Sequence, residues 1–238
     1  MLILGLNKTT LLDYPEHVAA TIFTGGCNFR CPFCHNRDLV FAKESIESHL
    51  ITPYREEEVL AFLKKRQNIL TGVCITGGEP TLQQDLPAFI HRIKELGYLV
   101  KLDTNGYRPD VLRFLVNRQL VDYVAMDIKN SPEKYAVTTG LSTCQLSLIQ
   151  ESVSFLMSQN GLLPFEFRTT LVRELHDEND MRVISSKIKG ASAYYLQSFR
   201  ESPSTIAQGF HAHTADTLQS FLAICREEVP NTQLRGVD

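Results

Sequence analysis

Two rhythms of hydrophobic and polar residues take turns along this chain. HVAATIF (17–23) is β-branched and mostly apolar, as expected of a strand. REEEVLAFLKK, from Arg55, spaces its apolar residues at helical intervals, with acids first and bases last as the helix dipole prefers. GVCIT (72–76) reads as a short buried strand ending at Gly77-Gly78, and QQDLPAFIHRIKEL as a helix stopped by Gly97. The cycle then repeats. YLVKLDT is a strand ending at Asn105-Gly106, and PDVLRFLVNRQ a helix with Pro109 near its start. YVAMDIK is a strand ending at Lys129, followed by a helix near 146–159, strand PFEFRTTLV and a helix near 178–189. YYLQSF is a strand, TADTLQSFLAICREE a helix and TQLRG a last short strand.

Strands alternating with helices predict right-handed βαβ units and a parallel sheet. Six such units plus a terminal strand predict an α/β fold, an incomplete parallel barrel, with residues 1–238 as a single domain. In parallel barrels the working residues stand at the carboxyl ends of the strands. The unusual polar groups fall at such ends: Cys27, Gly77 to Pro80, Asp103 to Gly106, Asp127 to Lys129, Arg168 and Gln197.

Composition narrows the function. With 43% apolar residues the chain can bury a sizeable core, and a net charge of −3 gives no reason to expect nucleic acid as a partner. The basic run Lys64 to Arg66 reads as the solvated end of a helix. No apolar run approaches the ~20 residues that span a membrane, and MLILGLNKTT is too short for a signal peptide. A cytoplasmic chain without membrane contact is expected, its thiols kept reduced. Its six cysteines then read as ligands, catalysts or core filler.

Three of them, Cys27, Cys31 and Cys34, lie within GGCNFRCPFCHN in C-x3-C-x2-C spacing, just past the first strong strand. They could be core cysteines. They could be ligands of a structural zinc with His35 as the fourth, although His35 directly follows Cys34 and no second CxxC exists. They could hold an iron–sulfur cluster, in which three thiolates leave one of four irons open to a substrate. Cys74, Cys144 and Cys225 read as structural, and the loop pair His211 and His213 as no more than that. GGEP (77–80) alone is a tight turn or a place where a ligand nears the backbone, DTNG (103–106) a turn, and Asp127 with Lys129 a surface ion pair.

CNFRCPFCHN resembles the signature loop of radical S-adenosylmethionine (SAM) enzymes, including the aromatic Phe33 before the third cysteine. The resemblance implies a barrel of six β/α units and a [4Fe-4S] cluster on Cys27, Cys31 and Cys34. The open iron is chelated by SAM, whose reductive cleavage gives a 5′-deoxyadenosyl radical. GGEP resembles the family's methionine-binding motif, so Gly77, Gly78 and Glu79 are expected near the SAM amino group. By the same resemblance Lys129 meets the SAM carboxylate. Asp103, Thr104 and Asn105 are candidates for ribose or cation contacts, with Asp103 and Asp127 the candidates for a monovalent cation. Phe33, His35, Arg168 and Gln197 complete the expected cofactor residues, and no further catalytic residue is expected.

GLNKTTLLDYP, TGGEPTLQ, LDTNG, MDIK and QLRG look like the activating proteins of anaerobic (class III) ribonucleoside-triphosphate reductase, and more loosely like pyruvate formate-lyase activases. Gly25 departs from the bulkier residue that pattern would lead one to expect. The implied reaction removes a hydrogen from a glycine Cα of a partner enzyme, with a flavodoxin- or ferredoxin-type protein as reductant. Other readings are the activase of another glycyl-radical enzyme, a deazapurine-type small-molecule enzyme, a non-catalytic iron–sulfur electron carrier, or a zinc-stabilised adaptor.

Overall fold

The computed structural model describes residues 1–236. Contacts gather the chain into two compact units, each built from separate stretches. The first holds Met1–Asn28, Asn36–Thr104 and Arg108–Val124. The second holds Phe29–His35, Asn105–Tyr107 and the chain from Ala125 onward.

The first unit contains β1 (Ile3–Thr10), β2 (Ala19–Thr24), α1 (Arg37–Val40), α2 (Ala42–Glu47), α3 (Glu56–Lys65), β3 (Gly72–Gly77), α4 (Leu86–Glu95), β4 (Leu99–Thr104) and α5 (Pro109–Asn117). It also takes in the start of β5 (Tyr123–Asp127). β2 pairs in parallel with β3, from Ala19 against Gly72 to Thr24 against Gly77. β3 pairs in parallel with β4, from Gly72 against Leu99 to Ile75 against Leu102. Ile22, Val73, Ile75, Val100 and Leu102 are buried, as the continuous apolar runs of parallel strands require. The helices bury Val59 and Leu63 of α3, Phe89, Ile90 and Ile93 of α4, and Leu112 and Leu115 of α5. Lys94 at the end of α4 grips both carboxylate oxygens of Asp122 at 2.7 Å.

β1 was not read from the sequence. It pairs antiparallel with β2, Leu6 against Ile22, and its burial does not alternate cleanly because the register shifts twice. The first residues thus form an edge strand, where the pattern held no period to find. The helices α1 and α2 were also missed. At four and six residues they are too short to show a helical repeat.

The second unit continues with α6 (Tyr135–Thr139), α7 (Leu146–Ser158), β6 (Phe165–Leu171), α8 (Glu178–Lys187), β7 (Tyr194–Ser198), α9 (Ala215–Arg226) and β8 (Thr232–Arg235). β6, β7 and β8 are parallel, with Arg168 against Tyr195 and Gln197 against both Thr170 and Arg235. Tyr194 is fully buried and donates its hydroxyl to Thr169 at 2.7 Å. Arg235 grips buried Glu166 with two hydrogen bonds of 2.9 and 3.1 Å and lies on the ring of Tyr195. Asp177 caps α8 by accepting from the backbone N–H of Asp180. α6, of five residues, was not expected either; the remaining helices and strands lie within a few residues of their expected places, and the parallel α/β architecture is the one the pattern predicts. Among the described residues no helix is long and apolar enough to cross a membrane.

One glycine controls the entry to the cysteine loop. Gly140 ends α6 in the left-handed region (φ 67°), and a Cβ there would stand 2.2 Å from the Arg30 carbonyl oxygen. Gly140→Ala is expected to cost about 1–3 kcal/mol from the backbone conformation alone. Thermal unfolding should show a melting temperature lower by several degrees, at roughly 2–4 °C per kcal/mol.

Candidate functional site

In the first unit the site grows from the ends of β2 and β3. Past Thr24 the chain turns through Gly26, whose N–H donates to the Leu39 carbonyl at 2.7 Å. The Gly26 carbonyl accepts from Glu79 N–H at 2.8 Å, and the Thr24 carbonyl from Gly78 N–H at 2.8 Å. Side chains at 77 and 78 would prevent this. A Cβ on Gly78 would lie 2.0 Å from the Gly26 oxygen, and one on Gly77 (φ 118°) 2.3 Å from Thr24 N. The double glycine therefore lets β3 close on the segment leading to Cys27. GGEP alone allowed a tight turn or a ligand's approach to the backbone, and the geometry supplies a backbone cause for both glycines.

Glu79 is 1% exposed. Its Oε1 accepts from the Thr81 amide at 3.1 Å, from the Thr81 hydroxyl, and from the Thr104 hydroxyl at 2.7 Å. Glu79 and Thr104, separate candidates in the sequence, are thus one hydrogen-bonded pair. Asp103 faces the same way along β4 as Lys101 and forms an ion pair with it. Lys101 was passed over, although a lysine amid YLVKLDT is itself a signal, since buried strands rarely hold an unpartnered ammonium.

In the second unit lie Cys31 and Cys34, in a turn closed by Cys34 N–H donating to the Cys31 carbonyl at 3.0 Å. Backbone bonds fix this stretch from two sides. Arg30 N–H donates to Thr139 at 2.8 Å, while Ile206 and Ala207 donate to the carbonyls of Cys34 (3.2 Å) and Pro32 (2.8 Å). Phe33 is buried, edge-on to Phe199 at 6.3 Å. His35 stacks on Phe199 at 5.2 Å, and its Nε2 donates to the Arg200 carbonyl at 2.6 Å, which commits that nitrogen to the backbone. Phe199 and the segment after it, which sequence reasoning did not single out, thus support the cysteine loop.

Asp127, Lys129 and Arg168 come together. Lys129 Nζ lies 2.8 Å from Asp127 Oδ2, and Arg168 Nε lies 2.9 Å from Asp127 Oδ1. Burial works against ionised Asp127, but Arg168 and Lys129 outweigh it and hold its carboxyl well below the usual range. Burial likewise disfavours charged Lys129, yet Asp127 and the neighbouring Cys31 thiol hold its pKa above the ordinary value. Burial pushes the Cys31 thiol up to about 11, with the Lys129 ammonium pulling the other way. Lys129 therefore stands within electrostatic reach of Cys31 and Cys34. Asn105 accepts from Tyr107 N–H at 3.0 Å in the turn that DTNG suggested. Gln197 sits near the end of β7, half-buried, beside Arg235 in register.

These features define a parallel α/β protein whose thiol-rich loop follows a strand end, with paired charges on neighbouring strands. The family model for the radical SAM superfamily matches residues 21–149, and the chain belongs to that superfamily. The chain is 33% identical over 201 residues to "Putative glycyl-radical enzyme activating enzyme MJ1227" of Methanocaldococcus jannaschii, covering 83% of this chain and 80% of that one. It is 32% identical over 123 residues to the 7-carboxy-7-deazaguanine synthase of Thermococcus kodakarensis, covering 46% of this chain and 48% of that one. A radical SAM methyltransferase from Sphaerobacter thermophilus shares the fold, with a TM-score of 0.72 at 15% identity over 93% of this chain and 67% of that one.

The chain is thus a radical SAM enzyme, and its family implies a [4Fe-4S] cluster and SAM. The donor type fits, since soft thiols close in sequence suit iron–sulfur ligation, while among the described residues no three His, Cys, Asp or Glu side chains are already gathered as a metal-holding group.

The charge cluster gives a direct test. Asp127→Asn leaves Lys129 and Arg168 without their common anion and should cost about 3 kcal/mol. Lys129→Ala leaves Asp127 with Arg168 and should cost about 1 kcal/mol. Urea unfolding of the two variants measures the order; a less stable Lys129→Ala would show that Asp127 does not organise the cluster.

Proposed function

We propose that this protein is an activase that binds a [4Fe-4S] cluster through Cys27, Cys31 and Cys34, cleaves SAM reductively, and generates a glycyl radical on a partner enzyme. The partner is anaerobic ribonucleoside-triphosphate reductase. The observation that carries the class of reaction is the 33% identity to the named activating enzyme across 83% of the chain. The deazaguanine synthase matches less than half of the chain. The choice of reductase as partner is supported by GLNKTTLLDYP, TGGEPTLQ, LDTNG, MDIK and QLRG together.

When bound, the cluster and SAM supply the 5′-deoxyadenosyl radical that takes the glycine hydrogen. The chain's own residues bind and orient. Lys129, kept charged by Asp127, meets the methionyl carboxylate. Gly78 and Glu79 face the amino group, with Glu79 held by Thr81 and Thr104. Gly77 lets β3 close against Thr24, Phe33 and His35 brace the loop against Phe199, and Asn105, Arg168 and Gln197 face SAM from their strand ends. Residues 1–238 act as one radical SAM domain, in the cytoplasm, with electrons from a flavodoxin- or ferredoxin-type protein.

The test is anaerobic reconstitution with a strong reductant and SAM, then mass spectrometry for 5′-deoxyadenosine. Electron paramagnetic resonance then looks for a glycyl radical on added anaerobic reductase. Wild type should give both signals. Cys31→Ala should keep its fold and lose bound iron and both signals, and Lys129→Ala should keep iron but bind SAM about tenfold or more weakly. Deoxyadenosine without a radical on the reductase, but with one on pyruvate formate-lyase, would move the partner assignment. An active Cys31→Ala would overturn the ligand set.

A further inference from the structure

Lys101 lies midway along β4, between Val100 and Leu102, and is 2% exposed. A lysine in that position is rarely tolerated without a partner. Residues two apart on a strand share a face, and Lys101 Nζ reaches up one step to form an ion pair with Asp103 Oδ1. Cys74 Sγ is 3.9 Å from the same nitrogen, and the Tyr123 ring centroid 5.9 Å. The ammonium is thus enclosed by a thiol, an aromatic face and a carboxylate, a setting that favours a cation. The Asp103 side chain is 14% exposed, so the pair sits just below the strand end.

The sequence pointed to Asp103 and Asp127 as candidates for a monovalent cation. In the folded chain each carboxylate has protein cations of its own. Asp127 has Lys129 and Arg168, and Asp103 has Lys101. We propose that Lys101 is a positioning residue whose tethered ammonium brings to Asp103 the positive charge that a free monovalent cation would bring, so that SAM binding here requires neither potassium nor sodium. A tethered charge is present at high effective concentration and loses no translational freedom on pairing. A buried pair is also screened little by salt. The consequence for SAM rests on the proposed reading of Asp103 as a residue of the SAM site; the pairing itself does not.

Two measurements test it in potassium or sodium chloride against choline chloride at equal ionic strength. One is thermal melting of the cluster-free chain, and the other is SAM affinity of the reconstituted protein. Wild type should melt at the same temperature in each salt and bind SAM with affinities within about twofold. Lys101→Met should melt several degrees lower in choline, recover part of that loss in potassium or sodium, and bind SAM about tenfold more weakly in choline than in potassium. Lys101→Met/Asp103→Asn, which removes both charges, should fold and be indifferent to the salt even where the single variant fails to fold. Wild type stabilised by potassium over choline would overturn the proposal. So would a Lys101→Met chain that matches wild type in choline, or a double variant that gains stability from potassium. The melting arm decides on Lys101 by itself. Wild type that binds no SAM in any salt, while the melting order holds, would count against the SAM-site reading and leave the Lys101 pairing standing.

Discussion

A Cβ on Gly78 would stand 2.0 Å from the carbonyl oxygen of Gly26, and much of the site depends on its not being there. Because it is absent, Glu79 N–H can donate to that oxygen and the end of β3 lies against the segment that leads to Cys27. This contact places the chain just before the first thiol beside the GGEP segment, and it holds Glu79 where Thr81 and Thr104 can satisfy its carboxylate. A buried carboxylate so satisfied is held in one orientation. Alanine at 78 would therefore disturb the cysteine loop and Glu79 at once.

Most of the acidic side chains at the strand ends are met by cations: Asp103 by Lys101 on its own strand, Asp127 by Lys129 and by Arg168 of β6, and Glu166 by Arg235, two strands away on β8. Glu79 is the exception, met by the hydroxyls of Thr81 and Thr104. Strand periodicity makes ion pairing economical, since an acid and a base two residues apart share a face. Lys101 with Asp103 and Asp127 with Lys129 both use that spacing. Such pairs add little net stability, but losing one partner is costly.

The strands and helices from β2 to β8 were legible because buried parallel strands and amphipathic helices imprint period and composition on the sequence. What was missed lacked that imprint. β1 is an edge strand with an irregular register, and α1, α2 and α6 span less than two turns. The cysteines and the polar strand ends were legible because thiols and charges are rare in such places. The cause behind Gly77 and Gly78 was not, because a glycine near a ligand and a glycine near another backbone look alike in one dimension. Lys101 was readable in principle, as a charge interrupting an apolar strand, but only the fold shows that its partner is Asp103. Cys74 and Cys225, read as core filler, are fully buried.

The second half of the cysteine loop shows how tertiary structure takes over where local sequence has no propensity to offer. Between Phe29 and His35 there is no helix or strand, so the backbone groups of that stretch must find partners elsewhere. They find them in Thr139, at the end of a helix closed by Gly140, and in Ile206 and Ala207, far along the chain. Backbone bonds and the packing of Phe33 and His35 on Phe199 together fix the course of this stretch. The same arrangement makes thiol placement sensitive to remote changes. A substitution in the 206–207 segment that shifts the backbone would disturb the N–H groups that donate to the Pro32 and Cys34 carbonyls, and one at 140 would disturb the backbone of Arg30. The placement of Cys31 and Cys34 is therefore set by α6 and by the segment after β7 as much as by the loop's own sequence.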